Sequence, residues 1–313
     1  MTARILVTGG AGFIGQQVVA RLAAEPTVGL LVSADVRAHD APGGAEAIVL
    51  DVRDHALADL LTSRSVNRVI HLASIVTPLP HHTREFLHSV DVEGTLNVIE
   101  ASLAAGVEHI TVTSSGAAYG YHADNPAWID ETDPLRGNPE FAYSDHKRIV
   151  EEILAGYRSS HPGLRQLVFR PGTILGASVD NQITAMFGWP VILGIAGSET
   201  PFVFIWDTDV VEIITTGCLS GREGIYNLAG DGAVPLRQIA SELDKRFLPV
   251  PAAVVKAGLA VLGAMKVTPY GPEQVDFLRY RPVLSNRRLI DEFGYTPART
   301  SLEAFRHWRD ARG

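Results

Sequence analysis

A tyrosine and a lysine stand one helical turn apart in the stretch "YSDHK", at positions 143 and 147. Lys147 is the only lysine among the first 244 residues. A phenol with a pKa of about 10 is a poor base at neutral pH, and a nearby ammonium stabilises its phenolate. The flexible, compact charge of a lysine suits this task better than the planar guanidinium of an arginine. The pair therefore predicts proton transfer by Tyr143, supported by Lys147.

A serine that can complete such a site lies in "TSSGAAYG", residues 113 to 120. This stretch follows a predicted strand, and ligands of open parallel sheets bind at the carboxyl ends of the strands. Ser115 can donate a hydrogen bond to a substrate oxygen while Tyr143 gives or takes its proton. The neighbouring Ser114 has two interpretations, an N-cap of the following turn or a contact in the site.

Glycines 9, 12 and 15 follow the first predicted strand in "TGGAGFIGQQVVARL" and open a helix. Without side chains, the backbone can approach a pyrophosphate, and the helix N-terminus offers free N–H groups to the negative charge. A glycine triplet between a strand and a helix is typical of dinucleotide binding. We therefore predict cofactor contacts from Gly9, Gly12, Phe13, Ile14 and Gly15.

Asp35 ends the second predicted strand, twenty residues after Gly15. A carboxylate there accepts hydrogen bonds from the adenosine ribose hydroxyls and repels a 2′-phosphate, which favours NAD over NADP. Arg37 stands nearby and can pair with such a phosphate, so NADP remains the alternative. We predict NAD as the cofactor, with Asp35 and Arg37 at the ribose.

Two further strand ends are placed to reach the same cofactor. In "LDVRD", Asp51 and Val52 follow the third strand and can contact the adenine. In "HLAS", the residues Leu72, Ala73 and Ser74 follow the fourth strand beside the phosphates. Taken alone, Asp51 would fit a helix cap better than a cofactor contact.

Short apolar, β-branched runs alternate with helix-like segments in the first half of the chain. The runs are nearly continuously apolar, as in strands buried on both faces of a parallel sheet. The segment at residues 94 to 106 is apolar at helical spacing and ends in glycine. This alternation predicts an α/β fold with a doubly wound parallel sheet, the Rossmann arrangement. The predicted strands cover residues 4–8, 29–35, 46–51, 68–73, 109–114 and 166–171.

The alternation loosens after residue 171, where prolines and glycines become frequent. We expect a dinucleotide-binding domain at residues 1–170, to which 204–229 return, and a smaller mixed α/β substrate domain from 171–203 and 230–313. The most apolar run, residues 250–265, is too short to span a bilayer, so we predict a buried or pocket-lining helix.

Composition and charge argue against several classes of function. The net charge is −8 without a basic block, which argues against nucleic acid as a partner. A single cysteine fits a reducing compartment, and the first residues enter a strand without a leader, so we expect a cytoplasmic protein and no membrane partner. His81, His82 and His88 lack cysteine partners and HExxH spacing, so we expect a solvated surface and no metal.

Taken together, the motifs resemble the extended short-chain dehydrogenase/reductases, the NAD-dependent epimerase/dehydratase family. The resemblance rests on "TGGAGFIG", "DVRD", "HLAS", "DVEGTLNVIEA", "SSGAAYG", "YSDHK", "RPGTILG", "FVFIWDTDVV" and "GIYNLAG". It implies that Ser115, Tyr143 and Lys147 form the catalytic trio, and that Tyr143, Lys147 and Pro171 also contact the cofactor. It further implies a homodimer through a four-helix bundle of the helices at residues 94–105 and 143–156.

The chain departs from this family at positions that affect the reaction. Asp91 stands where the family usually has asparagine. Gly116 and Ala117 stand where sugar-nucleotide 4,6-dehydratases have an acidic pair, so this dehydration is not expected. Neither arginine nor lysine occurs between Arg170 and Arg222, where members that act on nucleotide sugars have an arginine for the diphosphate.

These departures favour a small, weakly charged substrate, with apolar neighbours such as Ile192, Ile195, Phe202 and Trp206. A cation could still come from Arg279, Arg281 or Arg287. The predicted substrate contacts are Ser74, Ser115, Gly116, Asn181 and Trp206.

Three functions fit these residues. The first is an NAD-dependent dehydrogenase or reductase that acts on a secondary alcohol or carbonyl. The second is an epimerase, like UDP-glucose 4-epimerase, that oxidises its substrate and reduces it again with the retained NADH. The third is a non-catalytic NAD(P)-sensing protein, which needs the glycine loop but not Tyr143 and Lys147. The trio favours an enzyme, and the missing phosphate-binding cation favours the dehydrogenase.

Overall fold

The computed structural model describes residues 2–199, 201–265, 271 and 274–312 of the chain. Its strands are, in chain order, β1 Ala3–Thr8, β2 Val28–Asp35, β3 Glu46–Val49, β4 Arg68–His71, β5 His109–Thr113, β6 Arg165–Pro171, β7 Thr173–Leu175, β8 Val191–Ile195, β9 Phe204–Trp206, β10 Gly224–Leu228 and β11 Arg246–Val250. Its α-helices are α1 Phe13–Ala23, α2 Ala56–Ser63, α3 Arg84–His88, α4 Gly94–Ala104, α5 Ala142–Ser160, α6 Gln182–Phe187, α7 Asp207–Ser220, α8 Leu236–Glu242, α9 Ala252–Ala264, α10 Gln274–Arg279 and α11 Ser301–Asp310.

Seven parallel strands form the central sheet, in the order β3-β2-β1-β4-β5-β6-β10. The chain leaves β1 toward β2 and β3 and then returns to the other side of β1 with β4, so the order reverses there. The crevice outside the carboxyl ends of the strands at such a reversal is where ligands bind in open α/β sheets. The doubly wound fold is confirmed, and the six predicted strands are present, although β3 and β4 end two residues early.

Both faces of the sheet are covered, which explains the nearly continuous apolar runs. In β1, Ile5 and Val7 pack into one core beside α1 and α7, whereas Leu6 packs into the opposite core beside α2, α4 and α5. Period-2 alternation thus sends every apolar residue of a central strand into one of two cores. The sheet is therefore a rigid platform for the loops at its carboxyl edge.

The smaller group of elements carries an aromatic core of its own. β7 pairs with β9 and β8 with β11, both in parallel. The helices α6, α8 and α11 contribute apolar side chains to the core that these strands help to form. The aromatic members of this core are Phe187, Phe202, Phe204, Trp206, Phe305 and Trp308. Between β9 and α8, the chain returns to the central sheet through α7 and the edge strand β10.

The apolar run at residues 250–265 forms α9, as predicted, but the expectation of a buried helix is wrong, and a pocket-lining helix stays a prediction. Val254 and Val261 are each 59% exposed, and Met265 is 66% exposed. The run is rich in alanine and valine on all sides, so its pattern does not specify a buried face. The side chain of Lys256 on this helix pairs with Asp276 of α10 at 3.2 Å. Within the described residues, none of the helices combines the length and apolar character that crossing a bilayer requires.

Candidate active site

The loop between β1 and α1 is shaped by three glycines. Gly9 has a φ of +72°, and a Cβ there would lie 2.7 Å from the backbone nitrogen of Ala73. A Cβ on Gly15 would lie 2.1 Å from the carbonyl oxygen of Gly9. Gly12 caps α1 without a side-chain hydrogen bond, so N–H groups of the first turn are available to an anion. Phe13 and Ile14, the next predicted contacts, form that turn. This cradle fits a pyrophosphate.

Asp35 lies where β2 ends and holds this loop. Its carboxylate accepts hydrogen bonds from the backbone nitrogens of Ala11 at 3.1 Å and Arg37 at 3.0 Å. The exposed side chain of Arg37 approaches the same carboxylate with Nε at 3.3 Å. The structure thus brings both predicted ribose contacts to the edge of the glycine loop, with the arginine on the solvent side.

The end of β3 leads into Asp51 and Val52, which have different surroundings. The Arg53 guanidinium pairs with the Asp51 carboxylate, with Nη2 2.6 Å from Oδ2, and this hydrogen bonding holds the pKa of Asp51 below its usual value. Val52 is buried, and a Cβ on Gly94 would lie 2.6 Å from its Cγ2. Val52 therefore packs against the start of α4, and the carboxylate of Asp51 is partly exposed beside the loop.

Leu72, Ala73 and Ser74 follow β4 and form the floor of the site. The backbone of Leu72 and Ala73 lies directly against Gly9, which explains why glycine is required there. Ser74 donates a hydrogen bond from Oγ to Oδ1 of Asp91 at 2.9 Å. The predicted phosphate contacts therefore lie beside the glycine loop, and Ser74 connects them to the helix that carries Asp91.

Ser115 begins the 3-10 turn Gly116–Tyr119 after β5. Its Oγ accepts a hydrogen bond from the backbone nitrogen of Ala117 at 3.1 Å, so Ser115, rather than Ser114, is the N-cap. This contact uses a lone pair of the oxygen and leaves the hydroxyl proton for a substrate oxygen. Ser144 of α5 donates to the carbonyl oxygen of Ala117 at 2.7 Å, which fixes the turn against the helix that carries Tyr143.

Tyr143 and Lys147 share one face of α5, as the four-residue spacing predicts. The Lys147 Nζ lies 5.7 Å from the centroid of the Tyr143 ring and donates to the carbonyl oxygen of Thr113 at 3.2 Å. The structure therefore brings Ser115, Tyr143 and Lys147 together at the carboxyl end of β5. α5 ends at Ser160, two residues before Pro162, which cannot continue a helix.

The acidity of Tyr143 differs from the sequence-based expectation. Burial raises the pKa of Tyr143 to about 12, the Ser115 hydroxyl opposes this shift, and the Asp91 carboxylate adds to it. Burial also lowers the pKa of Lys147, against the favourable fields of Asp91 and Glu151. Burial thus keeps the phenol protonated in the polypeptide by itself, and the Asp91 carboxylate adds to this effect.

A buried ion pair supports the site from below. Arg170 at the end of β6 donates from Nε to Glu151 Oε1 at 2.8 Å and from Nη2 to Oε2 at 2.5 Å. Ser114 donates to the same Glu151 at 2.6 Å, and Arg170 Nη1 donates to the hydroxyl of Tyr119 at 2.7 Å. These contacts connect α5 with the ends of β5 and β6, so they fix the position of the helix that carries Lys147. Pro171, the predicted nicotinamide contact, follows Arg170 directly.

Sequence reasoning missed Glu151 and His146, and it treated Asp91 only as a departure. Glu151 stands one turn after Lys147 on the same face of α5, a spacing that could have identified it. Asp91 is buried in the π-helical turn Ser89–Glu93. Burial raises its pKa, but His146, the Lys147 charge and the hydrogen bonds from Ile75 and Ser74 lower it by more.

Aromatic rings and one arginine surround the outer side of Tyr143. The Phe141 ring lies 6.3 Å from that of Tyr143, and the rings of Tyr121 and Phe277 lie 4.9 Å apart beside it.

The Arg281 guanidinium stacks over the ring of Phe202 at 3.4 Å and over that of Phe277 at 4.6 Å. Arg281 is 6% exposed, and its Nε and Nη2 have no hydrogen-bond partner among the described residues. Burial lowers its pKa to about 9, opposed by Tyr121.

The other predicted substrate contacts have structural roles in the described part of the chain. Gly116 lies under Leu284, whose Cδ1 would be 2.9 Å from a Cβ on the glycine. Asn181 caps α6, and its Oδ1 accepts from the backbone nitrogens of Ile183 and Thr184. Trp206 is buried, with its ring 4.7 Å from that of His307. Roles for these residues at a substrate therefore stay predictions.

The apolar residues predicted to lie around the substrate are buried, and the histidine-rich segment leads into α3. Ile192, Ile195, Phe202 and Trp206 are all buried. The rings of His81 and His82 lie 4.6 Å apart before α3. Across the described residues, no group of three or more histidine, cysteine, aspartate or glutamate side chains is arranged to hold a metal ion.

Comparisons with known proteins agree with this geometry. The model of the "NAD dependent epimerase/dehydratase family" matches residues 5–199. An L-arabinose 1-dehydrogenase (NAD(P)(+)) of Haloferax volcanii is 30% identical over 187 residues, which cover 56% of this chain and 68% of that enzyme.

Two solved structures share the fold over nearly the whole chain. The UDP-glucose 4-epimerase of Thermus thermophilus in complex with NAD has a TM-score of 0.73 and 26% identity, and 99% of each chain is covered. A short-chain dehydrogenase/reductase superfamily protein of Agrobacterium tumefaciens with bound NAD has a TM-score of 0.74 and 22% identity, over 99% of this chain and 97% of that one.

Proposed function

The chain belongs to the NAD-dependent epimerase/dehydratase family of extended short-chain dehydrogenase/reductases, and we propose that it is an oxidoreductase acting on a secondary alcohol or carbonyl of a small substrate. NAD is the cofactor of this family. The observation that carries the proposal is the convergence of Ser115, Tyr143 and Lys147 beside a loop shaped for a pyrophosphate. When bound, NAD supplies the hydride acceptor or donor of the reaction.

Tyr143 handles the hydroxyl proton in this proposal, and Ser115 holds the substrate oxygen. Burial keeps the phenol protonated, so Tyr143 can donate its proton to a carbonyl oxygen when the substrate is reduced. Ser115 Oγ only accepts a hydrogen bond at the cap, so its own proton is free to bind the substrate oxygen. This hydrogen bond would hold the substrate oxygen near Tyr143. Lys147 contributes a positive charge whose amine is fixed by Thr113.

The glycine loop and Asp35 support NAD rather than NADP. The Asp35 carboxylate is held at the end of β2 by two backbone N–H groups, so a ribose 2′-phosphate would meet a fixed negative charge. Arg37 is the exposed residue that could offset this repulsion.

An epimerase is the second candidate, and Arg281 is the observation that favours it. A buried guanidinium whose Nε and Nη2 find no hydrogen-bond partner in the described part of the chain fits a phosphate or carboxylate of the substrate. This cation weakens the expectation of a weakly charged substrate. The Thermus thermophilus relative is named as a UDP-glucose 4-epimerase, whereas the Haloferax volcanii relative is named as a dehydrogenase.

The two candidates differ in how they treat the cofactor. An epimerase must keep NADH through each cycle, so dialysed protein should release NAD(H) near one equivalent per chain after denaturation. A dehydrogenase exchanges its cofactor, so the same protein should be nearly empty and bind added NAD reversibly. The measurement requires no knowledge of the substrate.

Tyr143→Phe tests the chemistry itself, with L-arabinose, UDP-glucose and cyclohexanol as substrate panel. We expect turnover to be lost and the Kd of NAD to change less than about threefold, because only the phenol oxygen is removed. Tyr157→Phe is the matched control, since this tyrosine lies on the exposed end of the same helix with its hydroxyl on Glu100. A near wild-type rate in Tyr143→Phe would refute the oxidoreductase. A NAD-sensing protein would bind NAD and turn over no compound.

The homodimer implied by the family resemblance is also part of the proposal. It would pair α4 and α5 of two copies in a four-helix bundle. Light scattering on the purified chain at micromolar concentration tests it, and a monomer would contradict it.

A further inference from the structure

His146 is a buried histidine that directly precedes Lys147 on α5. It is 1% exposed, and neither ring nitrogen has a hydrogen-bond partner among the described residues. Buried polar atoms are almost always paired, so two unpaired nitrogens on one ring require an explanation in water or in function. Asp91 connects this ring with the proposed trio, since its carboxylate faces His146 and also acts on the charge of Lys147.

Asp91 faces this histidine from the π-helical turn before α4. Its Oδ1 is fixed by hydrogen bonds from Ser74 Oγ at 2.9 Å and from the Ile75 backbone nitrogen at 3.0 Å. Its Oδ2 lies 3.7 Å from Nδ1 of His146, beyond a hydrogen bond but within reach of a small ring rotation. Isolated π-turns inside helices occur frequently at functional sites. The carboxylate can therefore orient the imidazole and stabilise its cation.

His88 connects His146 to the surface. The two rings meet edge to face, with centroids 5.4 Å apart. The His88 side chain is 40% exposed, and its Nδ1 lies 3.4 Å from Oε1 of Glu93. The rings are in direct contact, so a change of ring orientation can bring a nitrogen of one imidazole within hydrogen-bond distance of the other. A row of titratable side chains thus leads from the neighbourhood of Lys147 to solvent.

The other titratable groups that face this row are unsuited to carry a proton. His71 of β4 binds Thr8 through Nδ1 at 2.7 Å and Thr95 through Nε2 at 3.0 Å. Because the Thr95 hydroxyl donates to the carbonyl oxygen of Asp91, His71 is held in one neutral tautomer. Its pKa is lowered to about 3 by burial and by Lys147.

Two carboxylates on α5 are likewise engaged. Glu151 is held by Arg170 and Ser114. Asp145 is held by Arg84 at 2.7 Å and Arg148 at 2.9 Å. Tyr143 and Lys147 face Asp91 from the same helix and belong to the trio itself.

We propose that His146 and His88 carry protons between the catalytic site and solvent, with Asp91 as the positioning residue for His146. The inference rests on the oxidoreductase function proposed above. In alcohol oxidation, the C–H bond breaks and its electron pair leaves as hydride to NAD, while the O–H proton goes to Tyr143. That proton passes from Lys147 to His146 past the carboxylate of Asp91, which faces both groups, and it leaves through His88. Reduction uses the same route inward. An epimerase returns the proton to its own substrate and needs no such route.

The test uses kcat and KM for the panel compound that the wild-type protein turns over with NAD, in weakly buffered solution. His88→Ala should lower kcat about tenfold with KM unchanged, and added imidazole should restore most of the rate, because a small base can replace a surface proton carrier. His146→Asn should lower kcat by at least about as much and increase the solvent isotope effect. The matched control is His81→Ala, an exposed histidine of the preceding segment, with unchanged kcat.

The possible outcomes distinguish a failure of the proposed proton route from a failure of the proposed oxidoreductase function. If Tyr143→Phe is inactive while His88→Ala and His146→Asn keep the wild-type kcat, the proton route is refuted and the oxidoreductase stands. A loss in His88→Ala that imidazole does not restore, or that His81→Ala shares, also refutes the route. An active Tyr143→Phe refutes the function on which the inference rests. Should His146→Asn fail to fold, the partly exposed His88→Ala still decides.

Discussion

The buried ion pair between Glu151 and Arg170 gives the sharpest prediction about stability. Both side chains are 4% exposed, and the carboxylate is bound bidentately by the guanidinium. Glu151→Gln keeps the volume of the side chain but removes its charge, so an uncompensated cation is left in the core. Breaking a buried pair in this way costs about 3–5 kcal/mol of the free energy of unfolding.

This free energy corresponds to a measurable shift in Tm. With an unfolding entropy of about 2.1 cal/mol/K per residue over the 313 residues of the chain, we expect Tm to fall by about 5–8 °C. Differential scanning calorimetry and urea unfolding would report the same change. The double variant Glu151→Leu/Arg170→Met should be more stable than Glu151→Gln, because it buries no unpaired charge.

Glu152→Gln is the matched control for this experiment. Glu152 is the next residue of α5, and its exposed carboxylate pairs with Arg148 at 2.6 Å. Exposed pairs of this kind contribute about 0–1 kcal/mol. If Glu151→Gln costs no more than Glu152→Gln, the reasoning about the buried pair is refuted.

Three further predictions concern the cofactor loop and pH. Asp35→Ala should weaken NAD about tenfold in calorimetric titration and NADP less, since it removes charged hydrogen bonds to the ribose; equal losses would contradict the preference for NAD. Gly15→Ala should abolish NAD binding because its Cβ would lie 2.1 Å from the Gly9 oxygen, whereas Gly156→Ala, with no atom within 4 Å, should bind normally. Burial lowers the pKa of His71 to about 3 and that of His109 to about 4. The unfolded chain therefore binds more protons below pH 6.5, and each histidine should reduce the free energy of unfolding by up to about 1.4 kcal/mol per pH unit as the pH falls toward these values. Urea unfolding at pH 7.5 and 5.5 checks this, with a shallower dependence expected for His71→Asn; an unchanged dependence would contradict it.

The sequence was sufficient for the sheet and for the main side chains of the site because both depend on short-range patterns. A central strand such as β1 needs apolar residues on both faces, so its run is visible without any knowledge of the partners. The glycines at 9 and 15 are required by contacts within the loop and with the next strand end. The spacing of Tyr143 and Lys147 is a helical turn, which any helix at that place converts into a shared face.

Long-range contacts explain what the sequence did not reveal. Neither arginine nor lysine stands between residues 170 and 222, and this local pattern predicts a weakly charged substrate. The fold nevertheless stacks Arg281 over Phe202, a residue within that interval. Likewise, Phe202 and Trp206 were expected near a substrate, but they complete a core with Phe305 and Trp308, about a hundred residues later. An apolar residue beside a site and one in a core have the same local pattern.

The charges around Lys147 explain why a lysine stands at this position. Lys147 is buried between the carboxylates of Asp91 and Glu151, and Glu151 is already bound to Arg170. An arginine at 147 would bring five donors into a place where the ammonium donates to the Thr113 carbonyl oxygen. Burial keeps the Tyr143 phenol protonated in the polypeptide alone, and the Asp91 carboxylate adds to this effect. Asp91→Asn removes the charge while it retains an oxygen for Ser74 and Ile75, so it should lower the pKa of Tyr143 and move the pH profile of kcat to lower pH. An unchanged pH profile would contradict this role of Asp91.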